Sequence, residues 1–426
     1  MRSASPPCWS ASASSSWRIA EGAAALPEQH PLVDGPAPHT AEPARSTRPD
    51  GARASRNAAL DGLRGLAIVL VVLGHAGTVL WPTLVVGEQG PYGVPVLRGL
   101  LGGGAVIVFF VVGAFIVTLG LLRESARGTM DPARFLLRRL VRLGVQLVLL
   151  ATALVLVQLL DPTAPGSMQG LVQNLGHVLT FTLNLLPLDH ATPVRADVGH
   201  LWYLSVQQQC YPVLPLFVLA FARRRIVGAL VLVGLISVVY LHRVEVFDEY
   251  GWVLASILTT TRSDGLFWGV LLALALPLLS RFRRWSWPLT IGALGALACQ
   301  LAIQELPPFS YLGPWSLVYQ LFIGLVVVAI WLQTTPSVVS RGLAVAPLTW
   351  LGRNSLTIYF WHLPVFFVVA RHVGERPWWV GAALSFFVVA VLVVVLERVL
   401  EQPTRHLLAT HPLFRRQVPR PDGGAA

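Results

Sequence analysis

Not one lysine occurs in this chain; all 32 of its positive charges are arginine. Coding bias is enough to explain that substitution, and no function follows from it. Charge of either sign is scarce, at 12% of 426 residues, about half the share of an ordinary soluble domain. A soluble surface of this size could not be covered so thinly, which excludes a soluble enzyme. Cysteine is nearly absent too. Cys8, Cys210 and Cys299 have neither metal-ligand nor disulfide spacing, so neither a metal centre nor a disulfide framework is expected. The first 57 residues lack the apolar segment of a secretory signal peptide. No repeat of fixed period runs through the sequence.

What fills the chain instead is apolar: 54% hydrophobic residues and a mean hydropathy of +0.63. Long apolar stretches recur from residue 58 to residue 400, many near the roughly 20 residues that span a bilayer. The expected fold is all-α, a polytopic membrane protein. Ten segments have spanning character: about 58–80, 101–122, 138–160, 201–221, 226–242, 262–280, 287–304, 315–333, 350–371 and 378–400. An eleventh, "LVQNLGHVLTFTLNLLPL" at 171–188, is shorter and carries Gln173, Asn174, His177 and Asn184. The formal charge of +11 sits in short arginine clusters between apolar segments, the pattern of orientation signals rather than of a nucleic-acid surface. Ten spans place every cluster on the cytoplasmic side, with both termini inside. Counting 171–188 as a span would put the later clusters outside, so that segment reads as re-entrant or interfacial. Residues 1–57, rich in Ser, Ala, Pro and Arg, read as a disordered cytoplasmic tail, residues 58–405 as the membrane domain and 406–426 as a basic cytoplasmic tail. The 26 residues after 400 leave no room for a further domain within this sequence.

Polar groups inside such a chain are costly to place and are functional candidates for that reason. In "LDGLRGLAIVLVVLGHAG", residues 60–77, Arg64 and His75 are eleven residues apart. That is close to three whole helical turns, so both lie on one face, roughly 16 Å apart along the axis. An arginine at a helix mouth also snorkels to headgroups, and a buried histidine also serves as a plain interhelical hydrogen bonder. "RRLVR" sets Arg139 and Arg142 on one face at the cytoplasmic boundary. With Arg134 and Arg138 they exceed what orientation alone requires, and such forks suit a phosphorylated ligand. "GHLWYLSVQQQCYP" brings His200, Trp202, Tyr203, Ser205 and three successive glutamines into one span. Arg262 and Asp264 open another span, either as a polar site or as an end-cap pair. "LGRNSLTIYFWHLPV" carries Arg353 at its start and His362 nine residues further in, at a depth comparable to His75.

Together these stretches resemble the membrane acyltransferase-3 family of integral membrane O-acyltransferases. The matching pieces are the Arg-X10-His run of residues 64–75, "VFFVVGAF" (108–115), "RLVR" (139–142), "HLWYLSVQQQCY" (200–211), "RSDGLFWG" (262–269) and "LGRNSLTIYFWHLPV" (351–365). They stand in the family's order over about residues 58–405. The resemblance implies transfer of an acyl group, acetyl by default, from acyl-CoA as co-substrate to a hydroxyl of a sugar, glycolipid or glycosylated metabolite. No permanently bound cofactor is implied. It makes His75 the general base or transient acyl carrier, and counts Arg64 beside it as a catalytic residue that assists in holding the donor or pairs with Asp61. Arg138, Arg139 and Arg142 would hold the donor's phosphates. Trp202, Ser205, Gln208, Asp264 and His362 would stand on the acceptor side or in support. The sequence departs from the family in having Gln207 and Gln208 where paired glutamates are usual, and Ile107 where an acid often stands. Those substitutions keep a second reading open, a non-catalytic relative acting as a transporter or membrane ligand sensor. The expected location is the inner, cytoplasmic membrane.

Overall fold

The computed structural model describes residues 57–80, 100–189, 192–302, 312–313, 315–374 and 376–414, and among these there are helices and no strands. The two tails expected at 1–57 and 406–426 fall largely outside the described residues. Helix ends follow local chemistry. Asn57 caps α1 (Ala58–Leu80), its side-chain oxygen accepting from the backbone N–H of Ala59 at 3.1 Å and Leu60 at 3.2 Å. α2 spans Ala105–Ala126. Asp131 caps α3 (Pro132–Leu160), accepting from Arg134 N–H at 3.0 Å, with Pro132 in the first turn. This Asp-Pro start lies upstream of the expected beginning at 138, so all four arginines of the cluster stand on regular helix.

α4 (Met168–Leu179) is only 12 residues long and is followed by a 3₁₀ turn over Leu183–Leu188. At about 18 Å the helix is too short to cross a bilayer. The fourth span is broken at Tyr211–Pro212 into α5 (Trp202–Cys210) and α6 (Val213–Phe221). α7 (Arg225–Tyr250) continues eight residues beyond the end expected at 242, so Arg243 lies within a helix and not in an external loop. α8 (Asp264–Leu279), a 3₁₀ turn (Ser280–Trp285) and α9 (Ser286–Ala302) form one continuous helical stretch. α10 spans Ser316–Leu332. The segment expected as one helix over 350–371 is two, α11 (Ala346–Arg353) and α12 (Ser355–Val373), divided at Asn354. α13 (Trp378–Leu396) and, after a π turn, α14 (Gln402–Thr410) complete the described chain.

Eight of these stretches are long and apolar enough to cross a membrane. One of them, the 39-residue Asp264–Ala302, contains the two segments separated in the sequence at 262–280 and 287–304. α10, at 17 residues, is a shorter apolar helix. The protein is polytopic and all-helical.

The interior is organised around α2. Phe110, Val111, Val112, Ala114 and Phe115 are wholly buried, and α1, α6, α8 and α10 pack around the helix. The outer faces reverse the rule for soluble proteins: Ile226, Leu230, Leu241 and Phe387 are exposed, as expected where hydrocarbon is the solvent. α1 packs most closely against α11. A Cβ at Gly352 would collide with the carbonyl of Asp61, and one at Gly65 with the carbonyl of Leu348. Only hydrogen at these positions lets the two backbones meet.

At the far end of α3, Arg371 of α12 donates to Asp161 at 2.9 Å, and the Thr163 hydroxyl donates to the same carboxylate at 2.6 Å. The Thr163 hydroxyl first, and then Arg371, hold the Asp161 carboxyl well below the usual carboxylate range.

Candidate active site

α1 and α12 run side by side in the same direction, and two polar contacts mark the path between them. At the first level Arg64 donates to the Ser355 hydroxyl at 2.9 Å. At the second, His75 Nδ1 lies 2.9 Å from His362 Nε2, and the two rings stack at 5.1 Å between centroids. His200, in the 3₁₀ turn before α5, completes a group of three. Its ring centroid is 5.0 Å from that of His362 and 6.2 Å from that of His75.

The carbonyls around these rings determine their tautomers, because a carbonyl oxygen only accepts. His362 Nδ1 lies 3.0 Å from the carbonyls of both Ile358 and Tyr359, so it carries the proton. His362 Nε2 is then a bare acceptor, and in the neutral ring His75 Nδ1 donates to it. The remaining nitrogen, His75 Nε2, is left unprotonated. By the same argument His200 Nε2 donates to the Tyr359 carbonyl at 2.7 Å, and the Tyr359 hydroxyl donates back to the His200 carbonyl. His200 Nδ1 is buried without a partner.

A cationic group lies toward the start of α3. Arg139 stacks over the Tyr211 ring, its guanidinium carbon 3.5 Å from the centroid, and donates to Gln207 Oε1 at 3.1 Å. Gln207 Nε2 in turn donates to the Tyr203 hydroxyl at 2.9 Å. Arg142 stands 3.9 Å from Glu401, which also receives Arg405 at 3.1 Å and Gln146 at 2.9 Å. Gln146 ties this carboxylate to Thr357 on α12 at 3.1 Å. The Nε atoms of both Arg139 and Arg142 are buried with no hydrogen-bond partner. Polar donors left unmatched in a buried site are the mark of a place for an acceptor-rich ligand.

The structure thus gathers Arg64, Arg139 and Arg142 near one end of the α1–α12 pair, and His75 with His362 toward the other. It does not bring all the candidates to the same place. Arg138 turns to Glu124 at 3.7 Å and the Phe414 carbonyl at 3.3 Å. Trp202 packs near Phe110 and under the Arg262 guanidinium, 5.7 Å from its ring centroid. Ser205 and Gln208 are buried on α5, and Gln208 Nε2 has no partner. Asp264 faces Arg243 in an ion pair buried on both sides, and Gln320 donates to it at 2.6 Å. Arg243 also donates to the Leu312 carbonyl, the Thr261 carbonyl and the Ser316 hydroxyl. The partner of Asp264 therefore lies just past the span expected to end at 242, and the pair ties α7 to α8.

From the sequence His200, Tyr203 and Tyr211 stand out only as polar members of their span, with no role assigned, and Gln146 and Glu401 do not stand out as site residues. A glutamine in the middle of an apolar span is a visible anomaly and could have singled out Gln146. Glu401 had no such signal, since an acid after the last span reads as an ordinary boundary residue.

The model of the Acyltransferase domain family matches residues 57–398. The chain is 24% identical to "Peptidoglycan O-acetyltransferase OatA" of Listeria monocytogenes, over 72% of this chain and 49% of the relative. It is 27% identical to "Putative peptidoglycan O-acetyltransferase YrhL" of Bacillus subtilis, over 81% and 54%. It is 24% identical to "O-acetyltransferase OatA" of Staphylococcus aureus, over 81% and 57%. The chain therefore spans about half the length of the curated relatives it matches. No solved structure matches it. With the arginine and histidine groups both inside the matched region, the chain belongs to the acyltransferase-3 family of membrane proteins.

Proposed function

We propose that this chain is a membrane O-acetyltransferase that takes an acetyl group from acetyl-CoA at the arginine group and delivers it to a hydroxyl of a cell-envelope glycan at the histidine group. The observation that carries the reading is the His75–His362 contact, because it leaves His75 Nε2 free to accept a proton. Arg139 and Arg142 would take the donor's phosphates on the buried N–H groups that have no partner. Gln207 and the Tyr211 ring leave Arg139 uncompensated in charge, which favours an anion.

In the chemical step the acceptor hydroxyl loses its proton to His75 Nε2 as its oxygen attacks the thioester carbonyl. The carbon–sulfur bond then breaks, and the CoA thiolate takes the proton from His75. The products are the acetyl ester and free CoA thiol. His362 would act as a positioning residue, holding the tautomer of His75 through the contact to its Nδ1. A peptidoglycan acceptor is favoured by the printed names of the relatives. Ten spans with both termini in the cytoplasm of the inner membrane accord with the arginine distribution. Segment 171–188 is then re-entrant or interfacial.

The test is acetyl-CoA turnover by the purified full chain in nanodiscs, read as free-thiol release with muropeptide and other sugar acceptors. Release that requires an acceptor and disappears in His75→Ala supports the reading. Binding of acetyl-CoA that weakens in Arg139→Ala and Arg142→Ala places the donor. A folded protein that neither binds nor turns over acetyl-CoA overturns it in favour of a transporter or ligand sensor on the same scaffold.

A further inference from the structure

We infer that the groove between α9 and α10 is a binding site for one anionic phospholipid, independent of the acyl-transfer site. The 3₁₀ turn Ser280–Trp285 repeats every three residues, so Phe282 and Trp285 share one face, and Arg281 and Arg284 share the next. Phe282 and Trp285 line an open groove of about 400 Å³ whose floor includes Gly292 and Ala296 of α9 and whose far wall includes Phe322 and Leu325 of α10. A Cβ added at Gly292 would meet nothing within 4 Å. The small residues therefore leave a real depression. The lining runs about 12 Å along α9 from Pro288 to Ala296, a depth that suits part of an acyl chain.

The groove lies on a helical stretch apolar enough to cross a membrane, so its ambient occupant is a lipid tail. What selects the headgroup is at its mouth. Arg281, Arg283 and Arg284 are exposed, and among the described residues none has a carboxylate partner. Arg284 lies 5.6 Å from the Trp285 ring centroid, beside the end of the groove. A guanidinium beside an apolar slot, with two more exposed arginines on the same 3₁₀ turn, is complementary to a phosphodiester joined to acyl chains. A zwitterionic lipid offers the same tail without the net charge.

The experiment uses the full chain in phosphatidylcholine nanodiscs containing an equal, small mole fraction of dibromo-phosphatidylglycerol or dibromo-phosphatidylcholine. The Trp285 signal is the difference between wild type and Trp285→Phe. Quenching several-fold stronger by the anionic lipid is expected. The preference should vanish in the triple variant Arg281→Gln, Arg283→Gln, Arg284→Gln and survive in the triple Arg→Lys variant. Gly292→Leu with Ala296→Leu should weaken quenching by both lipids. Equal quenching in wild type overturns the proposal, and so does a preference that outlasts loss of the three arginines.

Discussion

His75 Nδ1 and His362 Nε2 lie 2.9 Å apart across 287 residues of sequence, and their contact decides which nitrogen of His75 is left without a proton. With His75 as the base proposed above, removing it and removing its partner have different signatures. His75→Ala should reduce kcat by about 10²–10⁴, the usual range for a positioned general base. His362→Ala should lower kcat by about tenfold, roughly the worth of one well-placed hydrogen bond, with KM for acetyl-CoA unchanged. Steady-state kinetics with thiol detection separates the two. A His362→Ala variant as inactive as His75→Ala would give His362 a direct chemical role.

Gln207 accepts from Arg139 and donates to Tyr203. A glutamate there would accept from both, because the Tyr203 hydroxyl is able to reverse its role. Gln207→Glu should therefore fold and keep turnover within a few-fold. Gln207→Leu should leave two polar groups unmet, at a cost of about 1–3 kcal/mol each in a buried site, and should lose donor affinity. Thermal unfolding and acetyl-CoA titration of the two variants check both halves.

Gly352 and Gly295 make opposite predictions for the same substitution. Gly352→Ala drives a methyl into the Asp61 carbonyl and should cost about 1–3 kcal/mol or more by overpacking. Gly295, with nothing within 4 Å of an added Cβ, should tolerate alanine or gain slightly in helix propensity. Melting temperatures of the two variants in one detergent test the contrast.

Arg243 and Asp264 are both fully buried. Arg243→Met strands the carboxylate and should cost about 3–5 kcal/mol, seen as loss of monodisperse protein. Adding Asp264→Leu in the same chain should recover part of that loss. Size-exclusion profiles of the single and double variants give the comparison.

Asp161 sets a pH dependence at the far end of α3. Its folded-state pKa is depressed, so its contribution is present above the unfolded value of about 3.9 and is lost as pH falls toward the folded value. Asp161→Asn should lower the melting temperature by a constant amount from about pH 5 to pH 8. The gap from wild type should narrow below about pH 4.

The sequence by itself determined the class of the protein and the geometry within each helix. Apolar runs with arginine at their ends define spans wherever water is absent, because a backbone in hydrocarbon must satisfy its own hydrogen bonds. The 3.6-residue turn likewise places Arg64 in line with His75, and Arg139 beside Arg142, whatever else the chain does. The Asp131–Pro132 start of α3 was legible as well, through its cap and its missing N–H, although the expected span began later. Tertiary structure alone decided the rest. Nothing local sets His362 and His200 against His75, Gln207 against Arg139, or Arg243 against Asp264. Those meetings depend on how closely the helices approach, which at α1 and α11 is set by hydrogen atoms at Gly65 and Gly352 where any side chain would hold the backbones apart.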